Sequence, residues 1–291
     1  MALLDRFKST FGGGKLNVSS RFALLRRAIS GTMSNFYMAR DLRTNEVVGL
    51  KILDPEKTAA FETRFKGLKK PTEGEIAVQL KHPRIVKTYE HGVTNQNEQY
   101  LVMEFLEGAG MNSVLVGGND RILEGHRVRF IRQAAEALSA VHAAGFLHRD
   151  MCPRNLIVTD HGQNVKLIDF GLSVPATRLF MQPGNRTGAP NYMAPELVRR
   201  QATDKRLDVF AFGVTAYEIC TYQLPWMRGE TGMAAMTHNR PPADIRSLRP
   251  QINPILARAI HHCIEPQLKN RCESIDHFLE MIHDVKHADQ Q

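Results

Sequence analysis

The amino-acid sequence predicts an α+β protein with two lobes, a small strand-rich lobe followed by a larger helical lobe. The chain has 291 residues, which exceeds the size of most single hydrophobic cores. Residues 22–106 contain short segments rich in β-branched and aromatic residues, whereas helical spacing dominates from residue 107 onward. Strands that come first and helices that come second, without alternation, are typical of an α+β fold.

Local patterns predict the individual elements. Strands are expected at 35–41, 47–53 and 99–105, and the key helix of the small lobe at 72–80, where Ile76 and Leu80 share one face. In the large lobe, helices are expected at 127–144, 208–222, 254–264 and 274–287. We interpret residues 1–20 as a flexible leader, 21–106 as the small lobe, 107–287 as the large lobe and 288–291 as a tail.

Composition limits the classes of function. The net charge of +8 comes from basic residues spread along the chain, so no nucleic-acid partner is expected, although a basic surface favours ATP or an acidic substrate. Four well-separated cysteines without a C-x-x-C pair indicate neither a zinc site nor a disulfide framework, and they fit a reducing, cytoplasmic location. No apolar run approaches the ~20 residues that a membrane span needs.

A lysine in an apolar strand is the first candidate for chemistry. Lys51 lies within the segment Val-Val-Gly-Leu-Lys-Ile. Alone, it is best explained as a solvated charge at a sheet edge. Glu73, on the predicted helix, offers a partner that would hold the ammonium group toward nucleotide phosphates.

Two polar clusters in the second half add the remaining groups. His148-Arg149-Asp150 is followed by Asn155, which supplies a carboxylate to orient a hydroxyl group and an amide oxygen for a metal ion. Asp169-Phe170-Gly171 ends an apolar strand with a carboxylate, a hard ligand suited to Mg²⁺. Each cluster alone also fits a polar turn that satisfies its own backbone.

In this order, the motifs resemble the eukaryotic-type protein kinase domain over residues 22–287. The resemblance extends to Ala194-Pro195-Glu196, to Asp208 as an anchor of the catalytic loop, and to Arg271 as the partner of Glu196. It implies transfer of the γ-phosphate of ATP, with Mg²⁺ or Mn²⁺, to Ser or Thr hydroxyl groups of proteins. The resemblance implies that the catalytic residues are Asp150, Lys51, Asn155 and Arg154. It also implies that the metal is bound by Asn155 and Asp169. The implied nucleotide-binding residues are Gly31, Lys51, Glu73, Met103 (the gatekeeper), Glu104 and Leu106 (the hinge), Ile157 and Asp169.

Several positions depart from the family pattern. The glycine-rich loop keeps only Gly31, which predicts weaker nucleotide binding. Phe36 stands where the family usually has Val and Gly49 where it has Ala, so we expect the two to exchange volume. Cys152 replaces the catalytic-loop lysine of Ser/Thr kinases, and we expect Arg154 to supply the missing charge.

The loop before Ala194 favours the Ser/Thr type over the tyrosine type. Pro190 and Tyr192 match the Ser/Thr pattern, although Ala189 lacks the threonine hydroxyl of that pattern. Thr187 is the best candidate for autophosphorylation, because a phosphate there would pair with Arg149, but it also fits an ordinary loop threonine.

Two other functions stay open at the level of sequence. The lost glycines and Cys152 fit a pseudokinase that acts as a scaffold, and the nucleotide motifs alone fit a small-molecule phosphotransferase. Against the first stands the full set of Lys51, Glu73, Asp150, Asn155 and Asp169. Against the second stand Arg149, Arg271 and the Ala194-Pro195-Glu196 motif, which are typical of a platform for peptide substrates.

Overall fold

The computed structural model describes residues 15–30, 33–118, 120–184, 186–226 and 238–290. The chain forms two compact units. Of the described residues, those up to His82 together with Val86–Leu106 form the first unit, and Pro83–Ile85 with those from Glu107 onward form the second. The predicted α+β fold, with strands in the first part and helices in the second, is confirmed. None of the described helices is both long and apolar enough to cross a bilayer.

The first unit is built on one antiparallel sheet of five strands in the order β1-β2-β3-β5-β4. Its elements are α1 (Val18–Arg21), β1 (Phe22–Ser30), β2 (Ser34–Asp41), β3 (Val47–Leu53), α2 (Pro55–Glu62), α3 (Glu73–Ala77), β4 (Thr88–Val93) and β5 (Gln99–Glu104). The core of the sheet includes Val48, Leu50 and Val102, all with 0% exposure. Their β-branched and aliphatic side chains stabilise the pleated, buried face.

The fold begins earlier than the sequence predicts. Leu16, which lies within the predicted leader, donates its N–H to the carbonyl of Val93 at 3.0 Å and packs in the core of the first unit. Arg21 is also buried, and its guanidinium lies 2.9 Å from Asp41 and 2.8 Å from Glu90. The segment from residue 15 is therefore part of the fold, while residues 1–14 of the predicted leader lie outside the described residues.

The second unit is mainly helical. Its elements are β6 (Gly108–Gly110), α4 (Met111–Val116), α5 (Asp120–Leu123), α6 (Arg127–Ala143), β7 (Phe146–Leu147), β8 (Leu156–Thr159), β9 (Asn164–Leu167), β10 (Val174–Pro175), α7 (Pro195–Val198), α8 (Arg206–Thr221), α9 (Ile245–Leu248), α10 (Pro254–Cys263) and α11 (Ile275–Met281). β6, β8 and β9 form a three-stranded sheet, and β7 pairs with β10.

The helices predicted at 127–144, 208–222 and 254–264 correspond to α6, α8 and α10 within two residues at each end. The helix predicted at 274–287 ends at Met281 instead. Beyond Met281 the backbone continues as turns, in which the N–H of Val285 donates to the carbonyl of Ile282, three residues earlier. The Nη2 of Arg132 also donates to the carbonyls of Ile282, His283 and Val285, which helps to hold this segment outside the helix.

Candidate active site

Lys51 and Glu73 form a buried ion pair in the first unit. The Nζ of Lys51, on β3, lies 2.5 Å from the Oε1 of Glu73, and the two side chains are 10% and 5% exposed. Glu73 is the first residue of α3, which begins with a capping box formed by Thr72 and Glu75. The pairing expected from the sequence is therefore present, and it fixes the position of the ammonium group.

The residues predicted to contact adenine lie in both units. In the first, Met103 is buried on β5, while Glu104 and Leu106 are half-buried. The backbone of Leu106 makes no hydrogen bond with any residue that the structure describes, so its N–H and carbonyl remain available to a ligand. In the second unit, Ile157 is a half-buried residue of β8. Gly31 lies outside the described residues.

Asp208, near the start of α8, fixes the loop that carries Asp150. Its carboxylate accepts the N–H of His148 at 2.8 Å and the N–H of Arg149 at 2.7 Å, and the Nε2 of His142 lies 2.9 Å away. Burial alone raises the pKa of Asp208, but the His142 hydrogen bond and nearby charges hold that pKa below its usual value. This buried anion thereby supports Arg149 in a left-handed conformation with φ of 68°.

Asp150 is held through both oxygens of its carboxylate. Oδ1 accepts the N–H of Ala189 at 2.9 Å, and Oδ2 accepts the side-chain amide of Asn155 at 2.9 Å. The Nη2 of Arg154 lies 3.2 Å from Oδ2. Burial raises the pKa of Asp150, while the Arg154 charge and the Asn155 hydrogen bond oppose the rise. A positioned carboxylate with a raised pKa suits a group that accepts a proton from a hydroxyl.

Asn155 and Asp169 place two oxygen atoms that can ligate a metal ion at the open end of the β8–β9 hairpin. Asn155 comes directly before β8, Asp169 follows shortly after β9, and the N–H of Ile168 donates to the Asn155 carbonyl at 2.9 Å. The side-chain nitrogen of Asn155 donates twice to Asp150, which leaves the amide oxygen for another partner. Asp169 is exposed and adopts a φ of 66°.

This donor set fits a magnesium ion that is bound together with a nucleotide. Among the described residues there is no cluster of three or more His, Cys, Asp or Glu side chains that could hold a metal alone. Mg²⁺ needs no such cluster in this setting, because one or two carboxylates suffice when phosphates and water complete its coordination. Asp169 and Asn155 are the residues that would hold the ion.

Arg154 is the exposed cation beside Asp150, while Cys152 is buried. The Arg154 side chain is 64% exposed, whereas Cys152 is 2% exposed. Burial, followed by the charge of Asp150, raises the pKa of the Cys152 thiol to about 12. Cys152 therefore stays neutral at physiological pH, and it supplies no charge where the family pattern has lysine.

The segment from Thr187 to Glu196 is anchored through Tyr192 and Glu196. Thr187 is 7% exposed, and its hydroxyl makes no hydrogen bond with the described residues. The phenol of Tyr192 donates to Glu218 at 2.5 Å. Glu196 forms a buried pair with Arg271, at 2.6 Å, as the resemblance implied.

Three contacts of the site were not predicted from the sequence. The bond from Ala189 to Asp150 uses a backbone N–H, which no side-chain pattern reveals. His142 lies on the buried face of α6, and nothing in the sequence distinguishes it from a core residue. The contact of Glu218 could have been predicted, because an acidic residue inside the apolar helix α8 needs a buried hydrogen-bond partner.

The α+β fold and this set of groups together indicate a general class of protein, the phosphotransferases, which use such residues to bind nucleotide phosphates. The whole-chain comparison is more specific. The family model described as "Protein kinase domain" matches residues 26–283. The chain belongs to the protein kinase family.

Several proteins that are named as kinases are similar to this chain. A probable serine/threonine-protein kinase of Clostridium acetobutylicum is 28% identical over 92% of the chain and 40% of its own length. The serine/threonine-protein kinase PknA of Mycobacterium tuberculosis is 32% identical over 78% of the chain and 53% of its own length. Pkn2 of Myxococcus xanthus, also named a serine/threonine-protein kinase, is 31% identical over 72% of the chain and 25% of its own length. The chain thus spans about half or less of these relatives.

Proposed function

We propose that this protein is an active protein kinase that transfers the γ-phosphate of ATP to Ser or Thr hydroxyl groups of protein substrates. The observation that carries the proposal is the position of Asp150, whose carboxylate is held by Asn155 and Ala189 beside the charge of Arg154. A scaffold has no need of a carboxylate held in this way. The similarity to kinases named for serine and threonine supports the choice of acceptor.

In the proposed reaction, each unit has a separate task. Lys51, held by Glu73, aligns the phosphates of ATP. Asp150 orients the acceptor hydroxyl and accepts its proton, while the hydroxyl oxygen bonds to the γ-phosphorus and the bond to the ADP oxygen breaks. Arg154 stabilises the charge on the transferred group. Mg²⁺ or Mn²⁺, when bound by Asp169 and Asn155, supplies neutralisation of phosphate charge.

The remaining assignments of the nucleotide site are part of this proposal. Met103 and Ile157 contact the adenine ring, and the backbone of Glu104 and Leu106 forms hydrogen bonds with it. Gly31 approaches the phosphates. Their support is the family membership together with the free backbone of Leu106.

We further propose that Thr187 is an autophosphorylation site. Because its side chain is buried in the structure, the loop must move before the hydroxyl is accessible. Phosphopeptide mapping of the protein after incubation with ATP tests this assignment. Unmodified Thr187 in protein that is labelled elsewhere would contradict it.

We expect no nucleic-acid partner, because the basic residues are spread along the sequence. We place the protein in the cytoplasm, and the support is chemical: all four cysteines are free and buried. A reducing compartment preserves such thiols. Fractionation of cells that express a tagged full-length protein tests the location.

Transfer of ³²P from labelled ATP to a generic protein acceptor tests the main proposal. Wild type is compared with Asp150→Asn, with Lys51→Met and with Lys269→Met, a control at an exposed lysine. We expect label on Ser and Thr with wild type and Lys269→Met, and none with the other two variants. Nucleotide binding without any transfer, under Mg²⁺ or Mn²⁺, would contradict an active kinase and favour a pseudokinase.

A further inference from the structure

A basic groove lies in the second unit, away from the residues assigned to phosphoryl transfer. It has a volume of about 590 Å³, within the range of ordinary ligand sites. α6, the turn between β8 and β9, and the segment after α11 contribute to its walls. Its charged lining residues include Arg84, Arg129, Arg132, Glu136 and Lys286. We call this feature the basic groove.

The cations of the basic groove are held mostly by neutral groups. Arg129 donates to the side-chain oxygen of Gln163, and Arg132 donates to three backbone carbonyls after α11. Arg84 donates to Asn164 at 2.5 Å and lies 3.5 Å from Glu136. Hydrogen bonds to neutral acceptors fix the guanidinium groups without cancelling their charge.

Lys286 adds a fourth cation. It is exposed, and it forms no hydrogen bond or ion pair with any residue in the described part of the chain. Among the described residues that line the basic groove, Glu136 is the one carboxylate, so the cations outnumber it. A concave site with an excess of positive charge favours a ligand that carries several negative charges.

We propose that the basic groove is a docking site for an acidic segment of a protein substrate. That the ligand is a protein rests on the proposed function. Carboxylates of Asp and Glu match the planar guanidinium groups, and phosphoserine offers the same hydrogen-bond chemistry with more charge. The volume exceeds what a single carboxylate or phosphate fills, which favours a peptide over a small anion.

The hairpin of β8 and β9 separates the basic groove from the reaction site. Thr159 pairs with Asn164 at the closed end, beside the groove, and Leu156 pairs with Leu167 at the open end, beside Asn155. Three residue steps span about 10 Å along such a strand. An extended substrate that is longer than this hairpin can carry both an acidic segment and an acceptor hydroxyl, so docking and phosphoryl transfer can involve one polypeptide.

Fluorescence anisotropy with a labelled oligoglutamate peptide tests the proposal without any phosphoryl transfer, so its outcome is independent of kinase activity. The test variant is Arg129→Gln with Lys286→Gln; Arg132 is kept because it supports the backbone after α11. The control, Arg258→Gln with Lys269→Gln, removes the same charge from exposed positions elsewhere. A thermal melt verifies that both proteins fold.

We expect wild type and the control to bind the peptide with an affinity that falls as salt rises. The test variant should bind about tenfold more weakly, as expected for the loss of two partly exposed ion pairs. A phosphoserine peptide of equal charge distinguishes the two sources of negative charge, and oligoglutamine should not bind. Absence of oligoglutamate and phosphoserine binding by wild type, or equal weakening in the control, would overturn the proposal. So would an RNA oligomer that binds through Arg129 and Lys286 when neither peptide does.

Discussion

A Cβ atom on Gly49 would lie 2.6 Å from the Cζ of Phe36, so the Phe36 ring fills the space that a side chain at residue 49 would need. The same atom would lie 3.1 Å from the Cγ of Met103. Phe36 and Gly49 are on the neighbouring strands β2 and β3. The sequence predicts that the large side chain of Phe36 compensates for the missing side chain of Gly49. In the structure the two residues are in direct contact, beside the proposed gatekeeper Met103.

This contact predicts that substitutions at the two positions compensate for each other. Gly49→Ala alone should push the Phe36 ring aside and lower stability by about 1–3 kcal/mol. Phe36→Val alone should leave a gap and lower the affinity for ATP. The double variant should lose less than the sum of the two single variants, because removing the ring relieves the clash and the added methyl group replaces part of the missing ring.

Urea unfolding measures the stability of the four proteins, and titration calorimetry with ATP measures their affinity. Met38→Leu is a matched control, since this residue is in register with Gly49 but its substitution nearly preserves volume. Additive effects in the double variant would contradict the compensation.

The buried pair of Glu196 and Arg271 predicts a large loss of stability when one partner is removed. Arg271 is 0% exposed as a side chain, and it donates to both oxygens of Glu196. Arg271→Ala should lower the free energy of unfolding by about 3–5 kcal/mol, because Glu196 is left as an uncompensated buried charge. Urea unfolding followed by circular dichroism measures this change.

Arg246 provides the matched control for Arg271. It also pairs with a carboxylate through a short contact, of 2.8 Å to Asp244, but both side chains are exposed. Water and salt screen such a pair, so Arg246→Ala should leave the unfolding curve nearly unchanged. Similar losses in the two variants would show that burial is not the deciding factor.

The sequence predicts an element of the fold correctly where its residue pattern is typical of only one kind of secondary structure. β3 is apolar and β-branched, and its predicted bounds agree with the structure. α2 was missed because it buries only Thr58 and Phe61, which gives no clear helical stripe. Its start was nevertheless readable, since Asp54 caps the helix and Pro55 occupies the first turn.

The candidate site divides in a similar way. Lys51, Asp150 and Asp169 could be selected because their motifs follow one another in the order typical of protein kinases, although each motif alone also fits a structural role. The hydrogen bond from the Ala189 N–H to Asp150 depends on the path of the backbone, which the sequence does not reveal. The basic groove was also hidden, because its cations come from distant parts of the chain.

We expect the turnover number to fall when the charge of Arg154 is removed. Its guanidinium is the exposed cation beside Asp150, and the buried thiol of Cys152 cannot replace it. Arg154→Ala should lower kcat by about 10²–10³, as for the loss of one group that stabilises developing charge. The KM for ATP should change little. Arg154→Lys should retain part of the activity, and full turnover in Arg154→Ala would refute the assigned role.

The raised pKa of Asp150 predicts the pH dependence of the reaction. Burial raises this pKa, and the Arg154 charge is the largest influence that lowers it. A carboxylate accepts a proton only when it is ionised, so activity should fall as the pH decreases through this raised pKa. Removing the Arg154 charge should raise the pKa further and shift the acid limb to higher pH.

Profiles of kcat/KM against pH for wild type, Arg154→Ala and Arg154→Lys measure this shift. The lysine variant keeps a positive charge near Asp150, so its acid limb should stay close to that of wild type. The alanine variant should show a displaced limb in addition to its lower maximum, which separates the effect on Asp150 from a loss of charge stabilisation. If the alanine variant has the wild-type profile scaled down, the Arg154 charge does not act on the ionisation of Asp150, and its contribution lies with the transferred phosphoryl group alone.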